Sequence, residues 1–493
     1  MYRKLIIFVL CLFSGTLFAQ NRVQDYINGQ MKSDSLLTNA VVAILAIDAN
    51  GNEIASWNPD MPLLTASTMK TITTGVALEV LGADYRFPTR IAYSGNINKR
   101  GVLKGDLYIV GGADPTLGSK DTIAFSTDSI FGIWAQAITD AGITKIDGRI
   151  VGDDRYLDYE VIPASWCWSD LGYDYGSGPS GLSFCENLTY FEVEAGKNVG
   201  DNVKITPIAP YSPSMTYINQ VVTGEKGAGE DIRYRTSDLT PYGKFSGEYG
   251  VDRRKDTIAF SNKFGTLACA GAFRTFLGEY GIECEGITDP QMILLHDVEP
   301  LQPQDSLIYI AETYSPELYR IIQVTNRISN NFFAETMLRT IGKTLSGEGD
   351  YYSATQALKE FLKSRGVSVW GLTQDDGSGL SRENYVSPRF FCNYYTMMSE
   401  SATFAQFFES LPGPGRPGTL KTVLKNADPA LKATIRAKSG SLSSVRCYAG
   451  YVDSSKGLFK FAILVNNFAC PTRMVQPKIE GFMEQLASYG AEQ

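Results

Sequence analysis

The chain has 493 residues, of which 44% are apolar and 20% are charged, and its formal net charge is −8. This length exceeds what one hydrophobic core holds, so we expect about two or three domains, and the composition is that of a globular rather than a disordered protein. The negative charge argues against a nucleic-acid partner.

Residues 1–20 have the pattern of an export signal. Arg3 and Lys4 precede an apolar run over 5–17, and Ala19 supplies the small residue of a cleavage site. An uncleaved membrane anchor is the alternative, although the run is short for a membrane span. We therefore expect a periplasmic or otherwise extracytoplasmic protein.

Apart from Cys11 in this apolar run, seven of the eight cysteines remain, and their pairing stays open. An oxidising compartment permits disulfides, but an odd number leaves at least one thiol free or paired between chains. Because no Cys-x-x-Cys spacing occurs, we expect no zinc ribbon, and we expect no metal and no cofactor.

Helix and hairpin patterns follow the export signal. The sequence predicts a helix over 23–32 and then a hairpin of strands 40–47 and 52–57 around an Asn-Gly turn. The segment 63–81 predicts an amphipathic helix that begins near Thr65 or Ser67.

The segment 87–289 has a different pattern, in which short strand-like runs alternate with turns rich in Gly, Asp and Pro. We interpret it as one or two inserted domains, mostly β. Within it, 173–183 is rich in Gly, Ser and Tyr and reads as a long surface loop, and 267–280 is the clearest helix.

Helical patterns dominate again after residue 302, and three strand-like runs and a terminal helix follow. The helices are predicted over 316–328, 332–345, 352–365, 388–399 and 402–411, the strands over 431–437, 445–452 and 458–466, and the last helix over 474–489. Because both ends of the chain share this pattern, we predict an α+β domain split into 21–86 and 290–493 around the insertion.

Ser67 and Lys70 form the first candidate catalytic pair. Their i, i+3 spacing places both side chains on one helix face, where a neutral lysine amine can take a proton from the serine hydroxyl. The chain's one histidine, His296, lies in an apolar run, and no Gly-x-Ser-x-Gly motif occurs, so a base other than histidine is expected. Read alone, the pair could also be a helix-capping Ser and a solvated Lys.

Two further motifs follow along the chain, and their order after the first pair helps to identify the class of enzyme. Ser329 and Asn331 form a Ser-x-Asn motif between two helices, which would supply a hydroxyl for proton relay and an amide for a substrate carbonyl. Lys438, Ser439 and Gly440 lie on a strand just before a hairpin, where the lysine would lower the pKa of the first lysine and bind a carboxylate.

The alternatives for these motifs are structural. Ser-x-Asn could cap the 332 helix, and the lysine could stand at a strand edge beside a Gly bulge.

The N–H of Ser441 would be an oxyanion donor. The order of the three motifs is that of penicillin-binding proteins and class A β-lactamases.

The chain resembles the class C low-molecular-mass penicillin-binding proteins, the D-alanyl-D-alanine carboxypeptidase/endopeptidase family. The segments 105–117, 315–318 and 376–382 resemble this family as well, and so does the long gap between the first two motifs. The resemblance implies a β-lactamase/transpeptidase-like domain, with an antiparallel sheet flanked by helices, split by the insertion 87–289.

The resemblance also implies a mechanism. Ser67 would attack the carbonyl between two D-alanines of a peptidoglycan stem peptide, Lys70 would take its proton, and Ser329 would help to pass it to the leaving amine. Lys438 and Ser439 would hold the terminal carboxylate, and Asn331 would orient the acyl amide. β-Lactam antibiotics would acylate the same serine as covalent inhibitors.

Some features stay open at this stage. The third motif has Ser439 where Thr is commoner in the family, and Asn330 stands where Asp is common. Asp158 either binds a peptide side chain or is a solvated loop residue.

Rival functions are an endopeptidase at the same site, a β-lactamase or esterase on the same core, and a non-catalytic wall-binding protein, and the oligomeric state is unknown.

Overall fold

The computed structural model describes residues 21–212, 215–292 and 301–491. The predicted export signal and His296 lie outside the described residues. Among the residues that are described, none of the helices is both long and apolar enough to cross a membrane. All seven cysteines after Cys11 fall within these ranges, and each carries a free thiol.

A five-stranded sheet joins the two ends of the chain. Its order is β19-β20-β21-β1-β2, with bounds β1 Val41–Ile47, β2 Glu53–Trp57, β19 Ile435–Leu442, β20 Val445–Ser454 and β21 Gly457–Asn466. All neighbouring pairs are antiparallel. The predicted hairpin and the strands predicted over 445–452 and 458–466 are therefore confirmed. The strand predicted over 431–437 is wrong in its first part, because Asp428 caps a short helix, Pro429–Thr434, and the edge strand β19 begins only at Ile435.

Helices cover both faces of this sheet and form two cores. Two helices from the chain ends and two short ones lie near one face, α1 Arg22–Ser33, α2 Ser35–Thr38, α11 Pro429–Thr434 and α12 Thr472–Ala491. The other face carries α3 Lys70–Leu81, α6 Leu318–Ile328, α7 Asn331–Ser346, α8 Tyr351–Ser364, α9 Pro388–Ser399 and α10 Phe404–Ser410.

Helix α3 was predicted to be amphipathic, but the structure shows that it is not. Every residue from Lys70 to Leu78 is buried, because α3 packs against α6 and α7 as well as against the loops around it. A helix that is surrounded by protein has no solvent face to mark with polar residues. One of its buried polar side chains, that of Lys70, belongs to the candidate active site.

Within its described residues, the insertion contains two larger cores, a third small apolar cluster and three sheets. The larger sheet contains β4 Pro88–Tyr93, β5 Asn96–Ile97, β6 Val102–Lys104, β7 Leu107–Gly111, β8 Lys145–Asp153, β15 Glu283–Thr288 and β16 Ile308–Tyr314, beside α4 Thr127–Asp140 and α5 Gly265–Glu279. The two smaller sheets contain β9 Leu188–Glu194, β10 Lys204–Ala209, β14 Asp256–Ser261, and β11 Thr216–Gly224, β12 Glu230–Arg235, β13 Tyr242–Gly250.

A third small sheet links the loop before α3 to the loop before α9. It consists of β3 Leu63–Leu64, β17 Leu372–Thr373 and β18 Tyr385–Val386. It lies next to the 3-10 turn Ala66–Met69.

Strand β16 changes the expected end of the insertion. It forms an antiparallel pair with β4, from Ile308↔Tyr93 to Tyr314↔Pro88. The predicted boundary at 289 would cut through this sheet and leave β16 in the catalytic domain. We therefore propose that the inserted part ends near residue 314.

The segment 173–183 is not the surface loop that was predicted. Residues 176–184 are buried, and their backbone is held by protein partners such as the buried guanidinium of Arg339, which donates to the carbonyl of Pro179 at 2.6 Å. Small residues are needed here because neighbouring backbone comes close: a Cβ on Gly178 would lie 1.7 Å from the carbonyl oxygen of Val161. The Gly-rich composition therefore reflects close packing.

Arg339 also decides between the two interpretations of Asp158. The Asp158 carboxylate forms an ion pair with this fully buried guanidinium, which donates as well to the carbonyl of Gly349 at 2.7 Å. Asp158 is therefore not a solvated loop residue, and its carboxylate already has a partner within the protein.

Replacing Arg339 should destabilise the protein strongly. In Arg339→Met the buried carbonyls and the Asp158 carboxylate lose their donor, which typically costs about 3–5 kcal/mol. Chemical denaturation measures the change in the free energy of unfolding. Lys343→Met, one helical turn later and half-buried, is the matched control, and an equal loss in both variants would contradict the assigned role of Arg339.

Candidate active site

Ser67 stands at the tip of the turn that leads into α3. It belongs to the 3-10 turn Ala66–Met69, and Lys70 is the first residue of α3. The preceding Ala66 has φ +46°, a left-handed conformation that costs a non-glycine residue about 1–3 kcal/mol. This strained turn places the Lys70 Nζ 2.9 Å from the Ser67 Oγ.

The Lys70 amine is fully buried and held by three acceptors. Besides Ser67, it donates to Asn331 Oδ1 at 2.6 Å and to the carbonyl of Ser378 at 2.8 Å. Burial lowers the pKa of Lys70 to about 7, against the attraction of Glu335 and Asp376, which raise it. A solvated lysine is therefore excluded, and a neutral amine could accept the Ser67 proton without any side chain moving.

Ser329 and Lys438 form a second pair. Ser329 ends α6 in the left-handed conformation, with φ +66°, and Lys438 Nζ donates to its Oγ at 3.0 Å. Burial, and then the charge of Lys70, lower the pKa of Lys438 well below its usual value. The sequence predicted that Lys438 would lower the pKa of Lys70, but burial is the main cause of that shift.

The edge strand β19 runs beside Ser67. A Cβ on Gly440 would lie 2.3 Å from the carbonyl oxygen of Thr65, so only glycine fits at this approach. The pairing of β19 with β20 shows no register shift, which excludes a Gly bulge. Ser439 is buried next to Lys438.

The backbone of β19 points N–H groups at the cleft. The N–H of Ala437 donates to the carbonyl of Pro412, on the side away from β20. Since backbone N–H groups alternate along a strand, the N–H groups of Ser439 and Ser441 point the same way. The Ser441 N–H is thus available to an oxyanion beside Ser67.

Asn330 caps helix α7, whereas its neighbours Ser329 and Asn331 belong to the candidate active site. Its Oδ1 accepts from the N–H of Phe333 at 2.9 Å as the helix cap. The capping interpretation of the Ser-x-Asn motif therefore holds for its middle residue only. Asn331 donates through Nδ2 to the carbonyl of Tyr175 at 2.8 Å, so the insertion contacts the site directly.

One buried carboxylate beside the site, that of Glu335, was missed in the sequence. Glu335 lies one turn after Asn331 on α7, and its carboxylate accepts from the N–H groups of Gly377 and Ser378 at 2.8 and 2.7 Å. It thereby positions the Ser378 carbonyl that binds Lys70. Burial, and then Asp376, raise the pKa of Glu335 to about 8. The i, i+4 spacing from Asn331 was the available signal.

These groups open on a cleft of about 350 Å³. Its lining includes Ser67, Ser329, Asn331 and Ser441 from the predicted site. It also includes side chains that were not predicted as site residues, namely Asp170, Tyr175, Arg382, Leu442 and Ser443. The structure thus brings all three motifs to one cleft, although they are far apart in sequence.

Curated relatives are similar over most of their length. A D-alanyl-D-alanine carboxypeptidase of Actinomadura sp. (strain R39) is 29% identical over 477 residues, covering 93% of this chain and 84% of the relative. A D-alanyl-D-alanine carboxypeptidase of Haemophilus influenzae is 25% identical, covering 90% of this chain and 88% of the relative.

A solved structure supports the fold. The crystal structure of penicillin-binding protein 4 from Haemophilus influenzae matches with a TM-score of 0.79 at 24% identity, covering 95% of this chain and 98% of that one. A second structure of that protein is complexed with a β-lactam. The predicted fold class, an α+β domain of the β-lactamase/transpeptidase type with a large insertion, is confirmed.

The family model described as D-Ala-D-Ala carboxypeptidase 3 (S13) matches residues 25–489. This range includes both halves of the split domain and the whole insertion. The resemblance seen in the sequence and the predicted enzyme class, a serine-type D-Ala-D-Ala carboxypeptidase, are therefore confirmed, and the chain belongs to the D-Ala-D-Ala carboxypeptidase 3 (S13) family.

Proposed function

We propose that this chain removes the terminal D-alanine of peptidoglycan stem peptides through an acyl-enzyme on Ser67. The observation that carries the proposal is the 2.9 Å contact between the Ser67 Oγ and the buried amine of Lys70. Burial disfavours the charged amine and makes Lys70 a base near neutral pH.

Acylation follows from the position of these groups. The Ser67 oxygen attacks the carbonyl carbon between the two D-alanines while its proton passes to Lys70. The carbon–nitrogen bond then breaks as the leaving amine takes a proton from the Ser329 hydroxyl, which Lys438 supports at 3.0 Å and which recovers a proton from Lys70, so that Lys70 is neutral again. Water next attacks the ester and gives one proton to Lys70, which returns it to the Ser67 oxygen as the shortened peptide is released.

The substrate is held at both ends of the reacting bond. The Lys438 amine and the Ser439 hydroxyl would donate hydrogen bonds to the terminal carboxylate. The N–H groups of Ser67 and Ser441 would stabilise the oxyanion, a contribution usually of about 3–4 kcal/mol per donor. Asn331, once its amide leaves the Tyr175 carbonyl, would bind the amide of the acyl part.

Three further properties belong to this proposal. The chain would be exported, since its substrate lies outside the cytoplasm. β-Lactams would acylate Ser67, as the β-lactam complex of the Haemophilus influenzae relative suggests. The same site would also act as an endopeptidase wherever a second peptide replaces the leaving D-alanine.

A pentapeptide assay tests the function. The wild-type protein should release D-alanine from a stem pentapeptide that ends in D-Ala-D-Ala. A pentapeptide that ends in L-Ala-L-Ala is the control and should release no alanine. Rapid penicillin hydrolysis without D-alanine release would contradict the proposal in favour of a β-lactamase.

A further inference from the structure

A second groove lies beside the first half of β19, outside the cleft that contains Ser67. It has a volume of about 460 Å³ and is lined from the end of α6, the end of α10 and the loop that follows α10. Three arginines contribute to it, Arg327, Arg416 and Arg436, with Glu409 as the one carboxylate of the lining. We call it the arginine groove.

The arginines of the groove have one nearby carboxylate, Glu409, whose charge raises the pKa of Arg436. Among the residues that the structure describes, no ion pair and no side-chain hydrogen bond involves Arg327, Arg416 or Arg436. Arg436 lies over the ring of Phe408 at 5.9 Å. Burial, and then the like charge of Arg416, lower the pKa of Arg436.

Such a cluster is unusual for this chain. The formal net charge is −8, and several arginines of the insertion, such as Arg90, Arg149 and Arg155, are paired with carboxylates. Guanidinium groups match carboxylates in geometry and charge, so a groove that collects three of them is suited to an anion with several carboxylates.

The groove adjoins the carboxylate end of the proposed site. Arg436 and Lys438 are two residues apart on β19, so their side chains share a face at a spacing of about 7 Å. Arg327 stands two residues before Ser329, whose hydroxyl accepts from Lys438. The cleft that holds Ser67 lies at the other end of β19, where Ser441, Leu442 and Ser443 line it.

We infer that the arginine groove binds the carboxylates of the leaving peptide when the enzyme cuts a cross-link between two stem peptides. The inference rests on the proposed function, and it assigns the endopeptidase reaction to this chain. The acyl part occupies the cleft, the carboxylate next to the reacting bond lies at Lys438 and Ser439, and the chain that follows passes into the groove.

The chemistry of the two leaving groups explains why only one needs the groove. A leaving D-alanine has a single carboxylate, which stays at Lys438 and Ser439. A leaving peptide has further carboxylates, including its own C-terminus, and the arginine groove is a cationic surface next to the Lys438 end of the site, where these carboxylates would lie. The groove therefore favours cross-linked substrates over pentapeptides.

Substitution of Arg416 tests the inference, because this arginine is exposed on a loop and its loss should not disturb the core. The measurement is the ratio of kcat/KM on a soluble cross-linked stem-peptide dimer to kcat/KM on the pentapeptide. In Arg416→Ala the ratio should fall by about tenfold, the usual effect of one charged hydrogen bond, and in Arg416→Glu it should fall further. Arg274→Ala, an exposed arginine on α5, is the control and should keep the wild-type ratio.

The possible outcomes separate the two proposals. If the wild-type protein releases no D-alanine from the pentapeptide, the proposed function fails. If it cleaves the pentapeptide but not the dimer, or if Arg416→Ala and Arg416→Glu both keep the wild-type ratio, the arginine groove has another role and the inference is overturned. Added salt should lower the wild-type ratio but not that of Arg416→Glu, since salt screens the attraction.

Discussion

Ser67→Ala should abolish D-alanine release and covalent labelling by a fluorescent penicillin. Without the hydroxyl no acyl-enzyme forms, and removal of a serine nucleophile typically lowers kcat by about 10⁴-fold or more. The fold should survive, because the Ser67 side chain is only partly buried and alanine keeps the 3-10 turn. Gel fluorescence after penicillin labelling and D-alanine release measure the two effects.

A matched serine controls this experiment. Ser364 lies exposed at the end of α8, far from the cleft lining, and Ser364→Ala should label as strongly as the wild-type protein. Equal labelling of Ser67→Ala and the wild-type protein would place the nucleophile elsewhere. It would then also remove the reason for assigning Lys70 as the base.

Lys70→Met should lower the acylation rate by about 10²–10⁴-fold, the range that a general base contributes. The pH profile is the sharper readout. Lys70 must be neutral to accept the proton, and burial lowers its pKa to about 7. The rate of penicillin acylation should therefore rise with pH through about 7 and then level off, and Lys70→Met should lose this rise.

Another lysine provides the control that this profile needs. Burial also lowers the pKa of Lys263 to about 7, but its amine donates to the carbonyl of Gly176 in the insertion. Lys263→Met should therefore keep the rise in rate. If Lys70→Met keeps the rise and Lys263→Met loses it, Lys70 is not the base.

Local patterns in the sequence were enough for the chemistry of the site. The i, i+3 spacing of Ser67 and Lys70 is a property of any helical turn, and the strand-like run before Lys438 was visible from its apolar residues. The hairpins within the five-stranded sheet were predictable because short turns join their strands, but the pairing of β1 with β21 joins the two ends of the chain and was not. The enzyme class followed from the order of these motifs.

What the sequence could not show depends on contacts between distant segments. Burial of Lys70, which sets its pKa, comes from Asn331 and the Ser378 loop, 261 and 308 residues away along the chain. The i, i+4 spacing of Glu335 from Asn331 was visible, but its partners, the backbone N–H groups of Gly377 and Ser378, were not, because backbone groups leave no mark in a sequence pattern.

Long-range pairing also decided the limits and the surfaces of the domains. Strand β16 joined the inserted sheet through pairing with β4, and the Gly-rich segment 176–184 became buried because neighbouring backbone closes around it. The arginine groove has the same origin, since three arginines from separate segments meet only in the folded chain. The pairing of Ser67 with Lys70 was thus predictable from the sequence alone, whereas the burial that lowers the pKa of Lys70 was decided by tertiary structure, because desolvation depends on everything packed around a group.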